Sequence, residues 1–128
     1  TKRLNLLLAV IEKHLKLPFY NKDVFINIAG GFKTEDPALD LAVVAALISS
    51  YLEQPIPRNS CFFGEIGLTG EIRPSSNPPQ RITECQKQGF TQVYLSSTNA
   101  VKPQETLKTT STLDAFFNSC FKPTNLQN

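Results

Sequence analysis

Apolar residues return at two different periods along this chain, and the changes of period mark out its elements. Leu4, Leu7, Leu8, Ile11 and Leu15 recur at helical spacing, which predicts an amphipathic helix over residues 2–16. Arg3, Glu12, Lys13 and Lys16 fall on or near its outer side, and Pro18 stops it. Val24, Phe25, Ile26 and Ile28 then form a β-branched and aromatic run, read as a strand that Gly30-Gly31 ends. After the polar loop 32–35, Asp36-Pro37 opens a second helix: the carboxylate caps free N–H groups and proline takes the first helical position. Residues 38–52 are apolar almost all round, with small Ala42, Ala45, Ala46, Ser49 and Ser50 among larger side chains. Such a helix is expected at the centre of the domain, with Val43, Ala46 and Leu47 almost wholly inside.

The second half is more broken. Pro55 and Pro57 punctuate a connector, after which residues 61–66 read as one buried strand. Gly67-Leu68-Thr69-Gly70 is a turn and residues 71–73 begin a returning strand, so the pair is predicted to be a hairpin. Residues 74–79, with three prolines, form a loop. A third helix over 80–88 turns Ile82 and Cys85 inward and Arg81, Glu84 and Lys87 outward, with Gly89 as its C-cap. A strand follows over 92–95. The polar stretch 96–110 is assigned no element. Thr112 caps a short last helix over 113–121, and the end of the chain is expected to be a frayed tail. The order predicts an α/β fold with a mixed β-sheet and helices packed around a buried central helix.

Composition narrows the functional classes. At 128 residues, 41% hydrophobic and 19% charged, the chain fits a single globular domain, taken as 1–122 with the tail 123–128. Lys13 and Lys16 interrupt the N-terminal apolar segment before it reaches membrane-spanning length. A net charge of +2 permits nucleic-acid binding without arguing for it. Cys61, Cys85 and Cys120 are odd in number and have no metal-ligand spacing, which reads as buried free thiols in a reducing compartment. There is no methionine, even at position 1, so a fragment of a longer protein is expected.

Candidate chemistry is thin. Gly30-Gly31 before a helix lacks the Lys-Ser/Thr of a phosphate loop and reads as a tight turn. Glu35, Asp36, Asp40, Glu65 and Glu71 offer carboxylates, but no spacing selects a pair, and they read as caps and solvated charges. His14, the one histidine, reads as a surface residue and completes no catalytic triad.

INIAGGFKTEDPALDLAVVAALISSY, FGEIGLTGEIRP, a basic helix ending KQGF and the leading RLNLLLAVIEKH together resemble the C-terminal domain of the RadA (Sms) family of bacterial DNA-repair proteins, over residues 3 to 95. That resemblance implies a fold like the Lon proteolytic domain. It also implies a zinc finger and a RecA-like ATPase core before Thr1, so ATP, magnesium and zinc are expected there and no cofactor here. Lon-type domains carry a catalytic serine at the start of the central helix and a lysine after the hairpin. The matching positions here hold Ala38 and, by alignment, Pro79, and neither can act as nucleophile or base. The resemblance therefore implies a non-catalytic scaffold: a hexameric, cytoplasmic, DNA-contacting ring serving branch migration, with a recombinase as a further partner and no membrane. Lys33 and Arg73 match basic positions of the family and are the candidate DNA contacts, with Arg81 and Lys87 behind them. Against this stand an ordinary loop lysine, an Arg73 paired with Glu71 or Glu65, a residual Lon-like peptidase, and a ring-assembly domain that never touches DNA.

Overall fold

The computed structural model describes residues 2–19, 24, 36–99 and 101–121. Its elements run α1 (Lys2–Leu15), a 3-10 turn (Pro37–Leu39), α2 (Asp40–Leu52), β1 (Ser60–Phe62), β2 (Glu65–Ile66), β3 (Ile72–Arg73), α3 (Pro78–Lys87), β4 (Gln92–Ser96), β5 (Leu107–Thr110) and α4 (Leu113–Cys120). β1, β4 and β5 form a parallel sheet with β4 in the middle, and β2 and β3 form an antiparallel pair. The expected α/β class is present, but the mixed β-sheet is not: among the described residues the parallel and antiparallel strands belong to two separate sheets. The strand expected over 24–28, the Gly30-Gly31 turn and the tail 123–128 lie outside the described residues, Val24 excepted.

Alternation along β4 decides the layering. Successive strand side chains point to opposite faces, and here Val93 and Leu95 join Phe63 and Ile82 in one apolar cluster. Tyr94 joins the other, with Leu7, Ile11, Leu41, Val44, Ile48 and Phe116. So α3 covers one face of the parallel sheet, and α1, α2 and α4 cover the other. Tyr94 stacks on Phe62 at 5.0 Å and meets Phe116 edge-on at 5.7 Å, which fixes α4 against the sheet.

Several expectations are corrected. Residues 61–66 are two strands of two sheets. Phe63 still donates to the Tyr94 carbonyl at 3.1 Å, but Gly64 gives its N–H to the Ala38 carbonyl and accepts from Leu41, both at 3.0 Å. With both backbone groups spent on the start of α2, the ladder ends and the chain turns into the hairpin. α2 is central yet one-sided: Leu41, Val44, Ala45, Leu47 and Ile48 are buried, Val43 is half-buried, and Ala46 is exposed. Ala42, Ala46, Ser49 and Ser50 fall toward the outer side, while Ala45 joins the large residues of the inward stripe. β5, within the stretch read as irregular, has a polar Lys-Thr-Thr segment with little apolar alternation to reveal it. α3 begins at Pro78, inside the stretch read as a loop, because proline is tolerated in a first helical turn, while the Asp36 and Thr112 caps follow expectation. Asp36 accepts from Ala38 N–H and Thr112 from Ala115 N–H, at 3.0 and 3.1 Å.

Candidate functional site

Gly64 is the junction on which the candidate residues converge. Its two backbone bonds tie it to the 3-10 turn that carries Ala38. A Cβ on Gly64 would lie 3.2 Å from Ile72 Cγ2, 3.7 Å from Leu41 Cδ2 and 3.8 Å from the Arg73 carbonyl, so glycine lets α2 and the hairpin close on each other. Ala38 is 8% exposed, and both its N–H and its carbonyl are committed, to Asp36 and to Gly64. Pro79 stands in the first turn of α3, after Asn77 in a left-handed conformation, on the exposed side of that helix. The structure thus ties Ala38 and Arg73 to one glycine, while Pro79 belongs to another element.

Around this junction runs a chain of alternating charges. Asp40, first residue of α2 and 1% exposed, accepts from Arg3 Nε at 3.0 Å on one oxygen. Its other oxygen takes the Ile66 N–H at 3.0 Å and Arg3 Nη2. Arg3 also lies 3.7 Å from Glu65, which in turn lies 3.9 Å from Arg73 Nη1. Arg73 is 52% exposed and is held at its Nε and Nη2 edge by Glu71 Oε2, at 3.0 and 2.9 Å. Glu71 Oε1 accepts from the Thr69 N–H at 3.1 Å and from the Thr69 hydroxyl. The Thr69 hydroxyl first, then a backbone hydrogen bond, and after it the Arg73 guanidinium hold the Glu71 carboxyl down at about 2. Bonding to Asp40 raises Arg3.

Four residues therefore sit differently from the sequence reading. Arg3 is a part-buried partner of Asp40, and Asp40 is no solvated charge. His14 is half-buried: its Nε2 faces the Leu68 carbonyl at 3.4 Å and its ring covers Gly70. Arg81 is not a solvated helix residue either. It donates to the Ser76 carbonyl at 2.7 Å and lies 5.8 Å over the Phe63 ring. Glu84 and Lys87 are exposed as expected. Arg73 is paired closely with Glu71 and loosely with Glu65, and keeps an outward corner. Lys33 lies outside the described residues, as do Thr34 and Glu35. Ser49 donates to the Gln54 carbonyl and closes the end of α2.

The sequence reading missed the Arg3–Asp40 link, although its signal was there. Asp40 falls on the same stripe as Val44 and Ile48, and Arg3 on the same stripe as Leu7 and Ile11. A charge on a buried stripe needs a partner. The cysteines are free, with Cys120 buried and Cys61 and Cys85 half-buried. Burial, then contact with Cys85, pushes the Cys61 thiol up, and burial pushes Cys120 up to about 11. Among the described residues no group of three His, Cys, Asp or Glu side chains could hold a metal ion, and no helix is long and apolar enough to cross a membrane.

A family model described as subunit ChlI of Mg-chelatase matches residues 5–99. The chain is 45% identical over 106 residues to a DNA repair protein RadA of Streptococcus pneumoniae, covering 80% of this chain and 25% of that protein. It is 43% identical over 100 residues to one from Pseudomonas aeruginosa, covering 78% and 22%, and 41% identical over 97 residues to one from Listeria monocytogenes, covering 76% and 21%. The chain thus spans about a fifth to a quarter of the length of the curated relatives it matches. The resemblance carried by the INIAGGFKTEDP and FGEIGLTGEIRP segments holds. The chain belongs to the family described as subunit ChlI of Mg-chelatase, and the relatives it matches are bacterial DNA repair proteins named RadA.

Proposed function

We propose that this chain is a non-catalytic scaffold domain of a RadA-like DNA repair protein, assembling into a ring and touching DNA through Lys33 and Arg73. The observation that carries the reading is Ala38. On a Lon-type domain this position bears the nucleophile, and here it is a methyl group, nine-tenths buried, whose backbone polar groups are both occupied. Pro79, at the aligned lysine position, offers no amine. A scaffold without a dyad has binding left to do.

Arg73 suits that task modestly. Its guanidinium is ordered by Glu71, half exposed, and on a hairpin pinned to α2. The surrounding carboxylates keep the local field weak, so one subunit is expected to bind DNA poorly, and a ring repeating the contact supplies avidity. In the whole protein we place this domain beside an ATPase core in the bacterial cytoplasm, with branch migration as the process served and a recombinase as a partner. The test is a salt titration of DNA binding by the protein and by its K33A/R73A variant, with mass measured by light scattering. Affinity should fall and the salt slope flatten while assembly persists. An unchanged slope with intact assembly leaves ring formation alone. Cleavage of an unfolded protein substrate, blocked by a serine-directed inhibitor, would instead make the domain a peptidase.

A further inference from the structure

We propose that the two carboxylates flanking Arg73 have opposite effects on DNA binding: Glu71 positions the guanidinium for a phosphodiester, and Glu65 competes with the phosphodiester for it. The inference rests on the reading of Arg73 as a phosphate contact and adds to it the residues that set how well the contact forms.

The geometry separates the two acids. Glu71 is held on both oxygens, by Thr69 on one and by the Nε and Nη2 edge of Arg73 on the other. Its carboxylate also lies flat on Gly67, where an added Cβ would fall 2.1 to 2.5 Å from the carboxylate atoms. To swing aside it would have to give up both Thr69 bonds and both Arg73 bonds. Glu65 reaches Nη1 only at 3.9 Å and Arg3 at 3.7 Å, both longer than a hydrogen bond. So one edge of the guanidinium fork is anchored, and the Nη1 corner faces a loosely held carboxylate on the exposed side. A phosphodiester oxygen would take that corner, and Glu65 would fall back toward Arg3. An arginine fork oriented at one edge loses less rotamer freedom when its other edge binds an anion.

Simple charge counting makes the opposite claim for Glu71. Removing either negative charge should raise affinity for an anion by a similar factor, so the sign of the Glu71 effect decides. The experiment compares the protein with R73A, E71Q, E71D and E65Q variants by fluorescence anisotropy on a labelled single-stranded oligonucleotide across a salt series. In E71Q the amide oxygen can still accept from Thr69, but an NH2 group faces Arg73. In E71D the charge stays and the reach is lost. R73A should weaken binding about three- to tenfold and flatten the salt slope by about one contact. E71Q and E71D should each weaken it by about as much as R73A, and E65Q should tighten it about two- to threefold. If R73A weakens binding while E71Q and E71D leave it unchanged or tighter, the positioning role is overturned and the Arg73 reading survives. If R73A changes nothing, both fall together. A melting curve on each variant checks folding, and E71D decides the matter if E71Q does not fold.

Discussion

Arg3, in the first turn of α1, and Asp40, the first residue of α2, meet as a two-point pair, and the Ile66 N–H completes the same carboxylate. One buried acid thus fastens the first helix, the central helix and β2. Replacing Arg3 with Met should leave the Asp40 carboxyl buried without its guanidinium and bonded only to the Ile66 N–H. The expected loss is about 2–4 kcal/mol, below the full value for a deeply buried pair because Arg3 is partly exposed. Asp40→Asn in the Arg3→Met background should recover part of that loss, since the amide oxygen can still take Ile66 N–H without a buried charge. Chemical denaturation of both single variants and the double variant gives the coupling. Additive losses would mean the pair is a surface contact.

A second expectation follows from the one-sided burial of α2. Ile48 is wholly enclosed and Ala46 is exposed. Ile48→Ala should cost about 2–5 kcal/mol as a cavity substitution, and Ala46→Glu less than about 0.5 kcal/mol. If Ala46→Glu destabilises the isolated domain by more than about 1 kcal/mol, the outer side of α2 is covered in solution.

How much of this could be seen in advance depended on how local each cause was. Helix ends set by their own residues were legible: Pro37 and Thr112 stand where the caps place them. The hairpin was legible too, because Gly67 and Gly70 announce the turn. The break at Gly64 was not, because its cause is a pair of hydrogen bonds to Ala38 and Leu41, remote in sequence. Arg81 escaped for a like reason. Nothing in its neighbours says that Phe63 lies beneath it. At the candidate site the sequence named Arg73 and both carboxylates as its partners, yet it could not tell that Glu71 binds tightly and Glu65 loosely. That distinction is one of distances.

Two glycines separate strain from crowding. Gly70 has φ +81° and a Cβ there would meet the His14 ring at 3.1 to 3.3 Å, whereas Gly89 has φ +93° with nothing within 4 Å. Gly89→Ala should cost about 1 kcal/mol, from the left-handed conformation alone. Gly70→Ala should cost about 1–2 kcal/mol more, and the added penalty should shrink in a His14→Ala background. Melting temperatures of the four variants test this; equal losses at the two glycines would mean the imidazole does not pack on the turn.

The thiols should be sluggish. Burial holds Cys120 up at about 11 and raises Cys61 further. The thiolate is the reacting form, so labelling of Cys120 by a disulfide reagent at neutral pH should be at least about tenfold slower in the native protein than in denaturant. Equal rates would place the C-terminal helix away from Tyr94 and the sheet.

The last expectation concerns acid. Glu71 ionises at about 2 in place of the ordinary 4.5, because the Thr69 hydroxyl, then a backbone hydrogen bond and then Arg73 bind its anion. A depressed folded-state pKa contributes stability that is fully present above the ordinary value and is lost as pH falls from about 4.5 towards 2. The turn should therefore be insensitive to pH near neutrality and loosen only in that acid window. Carbon-detected NMR of the Glu71 carboxyl should show a midpoint near 2 in the protein. Thr69→Val should move the midpoint up towards 4.5, and by more than Arg73→Ala does, because the hydroxyl is the larger cause. The Thr69 amide resonance should shift with the same midpoint, since that N–H and the hydroxyl share one carboxylate oxygen. A midpoint already near 4.5 in the unaltered protein would mean that the carboxylate is solvated, and Arg73 would then have no fixed anchor on the hairpin.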